Sequence, residues 1–132
     1  MPNRAPDWFA QAERDLLQAM DSRGAGRHEW ACFAAQQAAE KAVNALHLHQ
    51  GQEAWGHAVA QLLSELPSLA PASLIEQGRV LDNFYIPTRY PNGHPSGSPF
   101  EHYGPLQSEQ ALAYAGEIVA FVRAQMAGPA DG

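Results

Sequence analysis

Apolar side chains recur every three or four positions along most of this chain, and the breaks in that rhythm divide it into helical stretches. From Asp7 to about Asp21 the apolar line is Phe9, Ala12, Leu16, Ala19 and Met20, with Gln11, Glu13, Arg14 and Gln18 opposite. That spacing predicts an amphipathic helix, and Gly24 and Gly26 are expected to end it. A second helix is predicted from about His28 to Gln50. Its centre, Trp30 to Ala42, holds strong helix formers and no Gly or Pro. Its many alanines predict close neighbours, because the distance between helix axes follows side-chain size. A short third helix is expected from about Ala58 to Leu66, carrying Val59, Leu62, Leu63 and Leu66 before Pro67. Ser73-Leu74-Ile75-Glu76 reads as a capping box opening a fourth helix, with Leu74, Gly78, Leu81 and Tyr85 on one stripe and Pro87 as its stop. The last helix is predicted from about Ser108 to Met126, with Ala111, Ala115, Ile118, Val122 and Met126 buried and Glu109 suited to its positive N-terminal end.

No internal repeat and no strand pattern is visible. The expected fold is therefore all-α: an up-and-down antiparallel bundle of four main helices plus one short helix. One domain is expected over residues 1–126, with a disordered tail over 127–132.

One segment breaks the rhythm. From Ile86 to Tyr103 no helical period survives. Pro87, Pro91, Pro95, Pro99 and Pro105 are half of the chain's ten prolines, and each removes a backbone donor. Long irregular segments inside compact domains are usually functional or disordered. Tyr85, Tyr90, Phe100 and Tyr103 argue for an anchored loop, since disordered linkers are poor in aromatics.

Composition narrows the classes. Hydrophobic residues make up 45% of the 132 and charged residues 17%, ordinary for a globular core. No apolar run is long enough to span a bilayer, and the N-terminus lacks the apolar stretch of a signal peptide, so the expected compartment is the cytoplasm, with no membrane partner. A formal charge of −6 speaks against general DNA binding. The single cysteine, Cys32, sits among alanines and reads as a small hydrophobe. His47 and His49 project to different sides of a helix, and no His/Cys cluster has metal-ligand spacing, so neither metal nor cofactor is expected. No phosphate-cradling glycine loop or nucleophile elbow is present.

The phrase Leu81-Asp82-Asn83-Phe84-Tyr85-Ile86-Pro87-Thr88-Arg89-Tyr90-Pro91-Asn92-Gly93 resembles the signature of HEPN domains. Phe33 to Ala42, with its Gln-Gln-x-x-Glu-Lys element, is similar to that family's second helix. Gly56-His57 before Leu62-Leu63, and Trp8, Ala12, Asp15 and Leu16, match further parts of the pattern. The similarity spans roughly residues 7–124. It implies a helical bundle that commonly dimerises and that often accompanies a separate minimal nucleotidyltransferase, frequently as a toxin–antitoxin pair. Several branches of the family are metal-independent ribonucleases, in which an Arg and a His with four to six residues between them meet their counterparts across a dimer.

Arg89 and His94 fit that spacing here, which makes them the candidate catalytic pair. A histidine near neutrality can move the ribose 2′-OH proton, and an arginine can clamp a phosphate. Arg23 and His28 satisfy the same spacing in the turn between helices one and two. Another branch is regulated by adenylylation of a Tyr two residues after the His, a position held here by Ser96. Arg89, Tyr90, Asn92, Tyr85 and Tyr103 are the candidate ligand-binding residues. Arg89 also has a structural reading, bonding loop carbonyls or pairing with Asp82 or Glu101. Gln36, Gln37, Glu40, Lys41 and Asn44 read as a solvated face or dimer seam.

Three functions stay open on the sequence alone. The first is a homodimeric module that binds nucleotide or RNA and works with a nucleotidyltransferase. The second is a ribonuclease toxin using Arg89 and His94. The third is a structural dimer without ligand.

Overall fold

A computed structural model describes residues 3–128 and, within them, is helical throughout, with no strand. The helices are α1 (Ala5–Gly24), α2 (His28–His49), α3 (Val59–Ser64), α4 (Ala72–Asp82) and α5 (Pro105–Ala127), with short 3-10 turns at Pro91–Gly93 and Pro99–Glu101. The all-α bundle of four main helices and one short one is therefore observed. Of the tail expected to be disordered, Ala127 still belongs to α5, and residues 129–132 lie outside the described part.

The alanines of α2 explain its place. Ala31, Ala35, Ala38, Ala39, Ala42 and Ala45 are fully buried on more than one side of the helix, so α1, α5, α3 and α4 all pack against it. The contact with α1 is the most extensive and that with α5 the next. Small side chains on α2 meet Ala12 and Ala19 of α1 and Ala111 and Ala115 of α5 in one apolar core. Larger groups fill the far end of this core, with Leu46, Leu62, Leu63, Leu81 and Ile118 almost without exposure. His47, also buried, uses Nε2 on the Leu62 carbonyl at 2.8 Å and so fastens α2 to α3.

Several expected details change. Helix α1 starts two residues earlier than its apolar pattern, because Asn3 Oδ1 accepts the Ala5 N–H at 2.8 Å and Pro6 fits the first turn. Its buried line is Ala5, Ala12 and Ala19, seven apart, which carries Met20 round to solvent at 55% exposure.

No capping box opens α4. Pro71 stands at the N-cap with φ −56° and ψ 139°, its carbonyl accepts the Leu74 and Ile75 N–H groups, and Glu76 pairs with Arg79 on the surface. Nor does Pro87 stop α4. The helix ends at Asp82, where Asn83 and Phe84 close tighter turns onto Val80 and Leu81. Pro105, expected as a breaker, begins α5 instead. Its missing N–H is one that a helix start does not need, and Gln107 Oε1 accepts the preceding Gly104 N–H at 2.7 Å.

The solvated-face reading of α2 fails at two positions. Gln36 is 0% and Glu40 5% exposed, and His57 at the α3 entry bonds both of them.

Candidate functional site

The proline-rich segment is ordered by its own hydrogen bonds. Phe84 is buried as a plug under it, and the buried Thr88 donates Oγ1–H to the Phe84 carbonyl at 2.6 Å. Arg89 closes a turn through its N–H onto Ile86. Gly93 lies so close to Pro87 that a Cβ there would sit 3.0 Å from the Pro87 Cα. His94 Nε2 bonds the Pro87 carbonyl at 2.7 Å, and its ring stacks on His102 with centroids 4.0 Å apart and planes 2° apart. His102 in turn bonds the Ser96 carbonyl at 2.6 Å. Tyr103, half-buried, meets both Phe84 and His94 edge-on, and burial pushes its phenol above the usual tyrosine range. His94 and Tyr103 thus belong to one packed knot with His102.

Arg89 belongs to another. Its Nε donates to the Tyr85 carbonyl at 2.9 Å. The guanidinium carbon lies 4.3 Å from the ring centre of Phe33, 4.8 Å from Tyr85 and 5.2 Å from Tyr90. Three rings within cation–π range fix the plane of the guanidinium, and among the described residues it takes part in no ion pair. Neither Asp82 nor Glu101 is its partner. Asp82 instead accepts the Val59 N–H at 2.6 Å and the Ala60 N–H at 3.2 Å, capping α3 from the end of α4. Burial raises the Asp82 carboxyl above its ordinary range, opposed by those two N–H groups. Asn92 is exposed in the Pro91–Gly93 turn.

Behind Arg89 lies a polar chain that the sequence pattern does not connect to the loop. His57 stacks on Tyr85 with centroids 4.8 Å apart and planes 18° apart. Its Nδ1 bonds the Glu40 carboxylate. Gln36, buried beside it, donates to the His57 carbonyl, and Gln37 donates to both Gln36 and Glu40. Burial is the main influence on Glu40 and lifts its carboxyl above the usual range, against the opposing pull of His57. The His57 side chain is 61% exposed, so a buried carboxylate orients an imidazole at the surface. Phe33, Glu40 and His57 each stand in a phrase already singled out, but no spacing rule joins residues from α2, the α3 entry and the loop.

The second Arg–His pair is the one brought to a common atom. Arg23 Nε at 3.2 Å and His28 Nδ1 at 2.8 Å both meet Ser108 Oγ, and Arg23 also pairs with Glu109 at 3.6 Å. Ser108 is fully buried, so this cluster stitches the α1–α2 turn to α5. Lys41 pairs with Asp15 at 2.6 Å, joining α2 to α1. Among the described residues no cluster of three or more His, Cys, Asp or Glu could hold a metal, and no helix is long and apolar enough to cross a membrane.

A helical bundle whose proline-rich loop presents an aromatic-held arginine beside its central helix defines a class of small α-helical domain. The family model of the HEPN domain matches residues 5–125, and the chain belongs to that family. The chain is similar to TT1696 from Thermus thermophilus, with 51% identity and a TM-score of 0.91, over 94% of this chain and 99% of that one. It is also similar to the crystal structure of an archaeal HEPN homologue, with 38% identity, a TM-score of 0.83, and 95% and 99% of the two chains covered. A HEPN domain protein from Thermotoga maritima matches at 33% identity and a TM-score of 0.76, over 92% and 98% of the chains. No curated protein matches the chain.

Proposed function

We propose that this protein is a dimeric HEPN module that binds a nucleotide or an RNA end through Arg89 and works with a separate minimal nucleotidyltransferase. One observation carries the binding half of this reading. The Arg89 guanidinium is held in plane by Phe33, Tyr85 and Tyr90, and among the described residues it donates a hydrogen bond through Nε alone and enters no ion pair. A pre-organised planar cation of this kind suits a phosphate, which takes paired N–H donors. Tyr85 and Tyr90 act as its supports, and Asn92 is a polar neighbour on the exposed side of the loop. Dimerisation and the nucleotidyltransferase partner are supported only by what is common in the family.

Ribonuclease chemistry by Arg89 and His94 is the lesser reading. His94 uses Nε2 on Pro87 and its ring face on His102, which supports a loop-fastening role. His94→Ala should therefore leave any effect of the protein on cellular RNA unchanged.

The test is thermal protection by ATP, GTP and short RNA, read for the wild type and for Arg89→Gln. Protection of the wild type by at least one ligand, lost in Arg89→Gln while the variant remains folded, is the expected result. No protection by any of the three, with no nucleotidyltransferase co-purifying from the native host, would end this reading.

A further inference from the structure

The Phe33 ring that supports Arg89 also lines a second feature, a cavity of about 420 Å³ between α1 and α2. Trp30 and Phe33 form one wall and meet edge-on with centroids 6.2 Å apart. Gln37, Arg27 and the ion-paired Lys41 and Asp15 are among the other residues that line it. Trp30 is 48% exposed although it is the largest apolar group on this side of α2.

The cations are distributed unevenly. Five of the eight basic side chains are in ion pairs among the described residues: Arg4, Arg23, Lys41, Arg79 and Arg123. Of the remaining three, Arg27 lines this cavity and Arg89 sits on the ring that forms its wall. Two guanidinium groups without an ion pair among the described residues thus flank one aromatic pair on a chain of net charge −6.

We infer that the α1–α2 cavity is a subsite for one unpaired nucleobase, stacked on the half-exposed Trp30 with Phe33 bounding its edge, of a single strand whose flanking phosphates meet Arg27 and Arg89. The inference rests on the phosphate-binding reading of Arg89 and adds to it where the base goes. Its physical basis is the pairing of parts that single-strand sites use: an aromatic platform for a base, which any base can occupy, beside cations that follow the backbone. The cavity falls within the roughly 300–1,000 Å³ of small-ligand sites. Gln37 donates both of its side-chain bonds through Nε2, which leaves its amide oxygen to accept from a base edge. A wider hollow of about 900 Å³ along α1, with Trp8 and Arg14, lacks a second ring. A second copy of this chain would bring the same unpaired cations toward one seam, whereas a polyanion neutralises them.

The experiment uses the full chain and two fluorescein-labelled strands of equal length, oligoadenylate and its abasic ribose-phosphate counterpart, read by anisotropy across a salt series. Oligoadenylate should bind the wild type more tightly than the abasic strand. Trp30→Ala should weaken oligoadenylate by about 5- to 150-fold, the 1–3 kcal/mol of one base–aromatic stack at about 1.4 kcal/mol per tenfold, and leave the abasic strand unchanged. Trp30→Phe should restore most of the loss, which separates stacking from damage to the fold. Arg89→Gln should weaken both strands and flatten the salt dependence.

If both strands bind equally and Trp30→Ala changes neither, the base subsite is wrong and the phosphate reading survives. If neither strand binds, both fail. If Trp30→Ala converts a dimer to a monomer in sedimentation, the face is a seam between copies and the base subsite is overturned.

Discussion

Gly78 and Gly116 both lie inside helices, yet alanine at each should move stability in opposite directions. On helix propensity alone each substitution gains up to about 1 kcal/mol. At Gly116, in α5, an added methyl meets nothing within 4 Å, so that gain should appear, at about 0.5–1 kcal/mol. At Gly78, in α4, the methyl would lie 3.0 Å from the Ala60 nitrogen, 3.2 Å from the Ala60 Cα and 3.2 Å from Val59 Cγ1. The nearest atoms are backbone and cannot rotate aside, so α3 would have to slide off α4. Overpacking of this kind costs about 1–3 kcal/mol. The same movement pulls the Val59 and Ala60 N–H groups away from Asp82, and a helix cap contributes about 0.5–2 kcal/mol. Set against the propensity gain, Gly78→Ala should lose about 2 kcal/mol. For a domain of this size that is a fall in Tm of roughly 8 °C. Equilibrium urea unfolding of the two variants beside the wild type measures both signs. A Gly78→Ala protein as stable as the wild type, with an unchanged m-value, would refute the claim that α3 and α4 meet backbone to backbone at this point.

Other expectations follow from single side chains. Asp82→Ala should cost about 1–3 kcal/mol in urea unfolding, because it strips the acceptor from two N–H groups at the start of α3, and Asp82→Asn should recover part of that; equal stability of Asp82→Ala and wild type would contradict the capping role. Burial holds the Glu40 carboxyl above its ordinary 4.5, so the folded protein keeps a proton that the unfolded chain has released, and stability should fall as pH rises from about 4.5 toward the folded pKa. Glu40→Gln should remove that contribution, so its stability relative to wild type should improve with pH over the same range; a difference that stays flat or declines would place the carboxylate in a better-solvated site. Burial, with Glu29 adding to it, pushes the Cys32 thiol up to about 12, so a thiol reagent should label it in denaturant and not in the native protein. Rapid stoichiometric labelling of the native protein would mean that the α2 core opens readily.

The sequence by itself determined the helical class, the order of the helices and the family. Those properties are written in spacing, since an apolar residue every three or four positions needs a helix to gather it on one face. The Leu81–Gly93 phrase and the Gln-Gln-x-x-Glu-Lys element lie within single continuous stretches of chain, and so were visible in it. Helix ends were less legible, because Pro71 and Pro105 read equally as loop breakers or as helix starts until the neighbouring carbonyls and Gln107 take their bonds. Tertiary structure alone decided how the loop is held. Arg89 and His94 are five apart in sequence, yet one turned onto Phe33 of α2 and the other onto His102 within the loop. Arg23 and His28, which share that spacing in the turn between α1 and α2, meet on Ser108 of a distant helix. Glu40 and Gln36 carried polar labels that favour a wet face and were buried instead, with His57 of the α3 entry bonded to both. Chain spacing records which residues share a helix face, whereas the partner of a side chain on a loop is set by whichever distant surface packs against it.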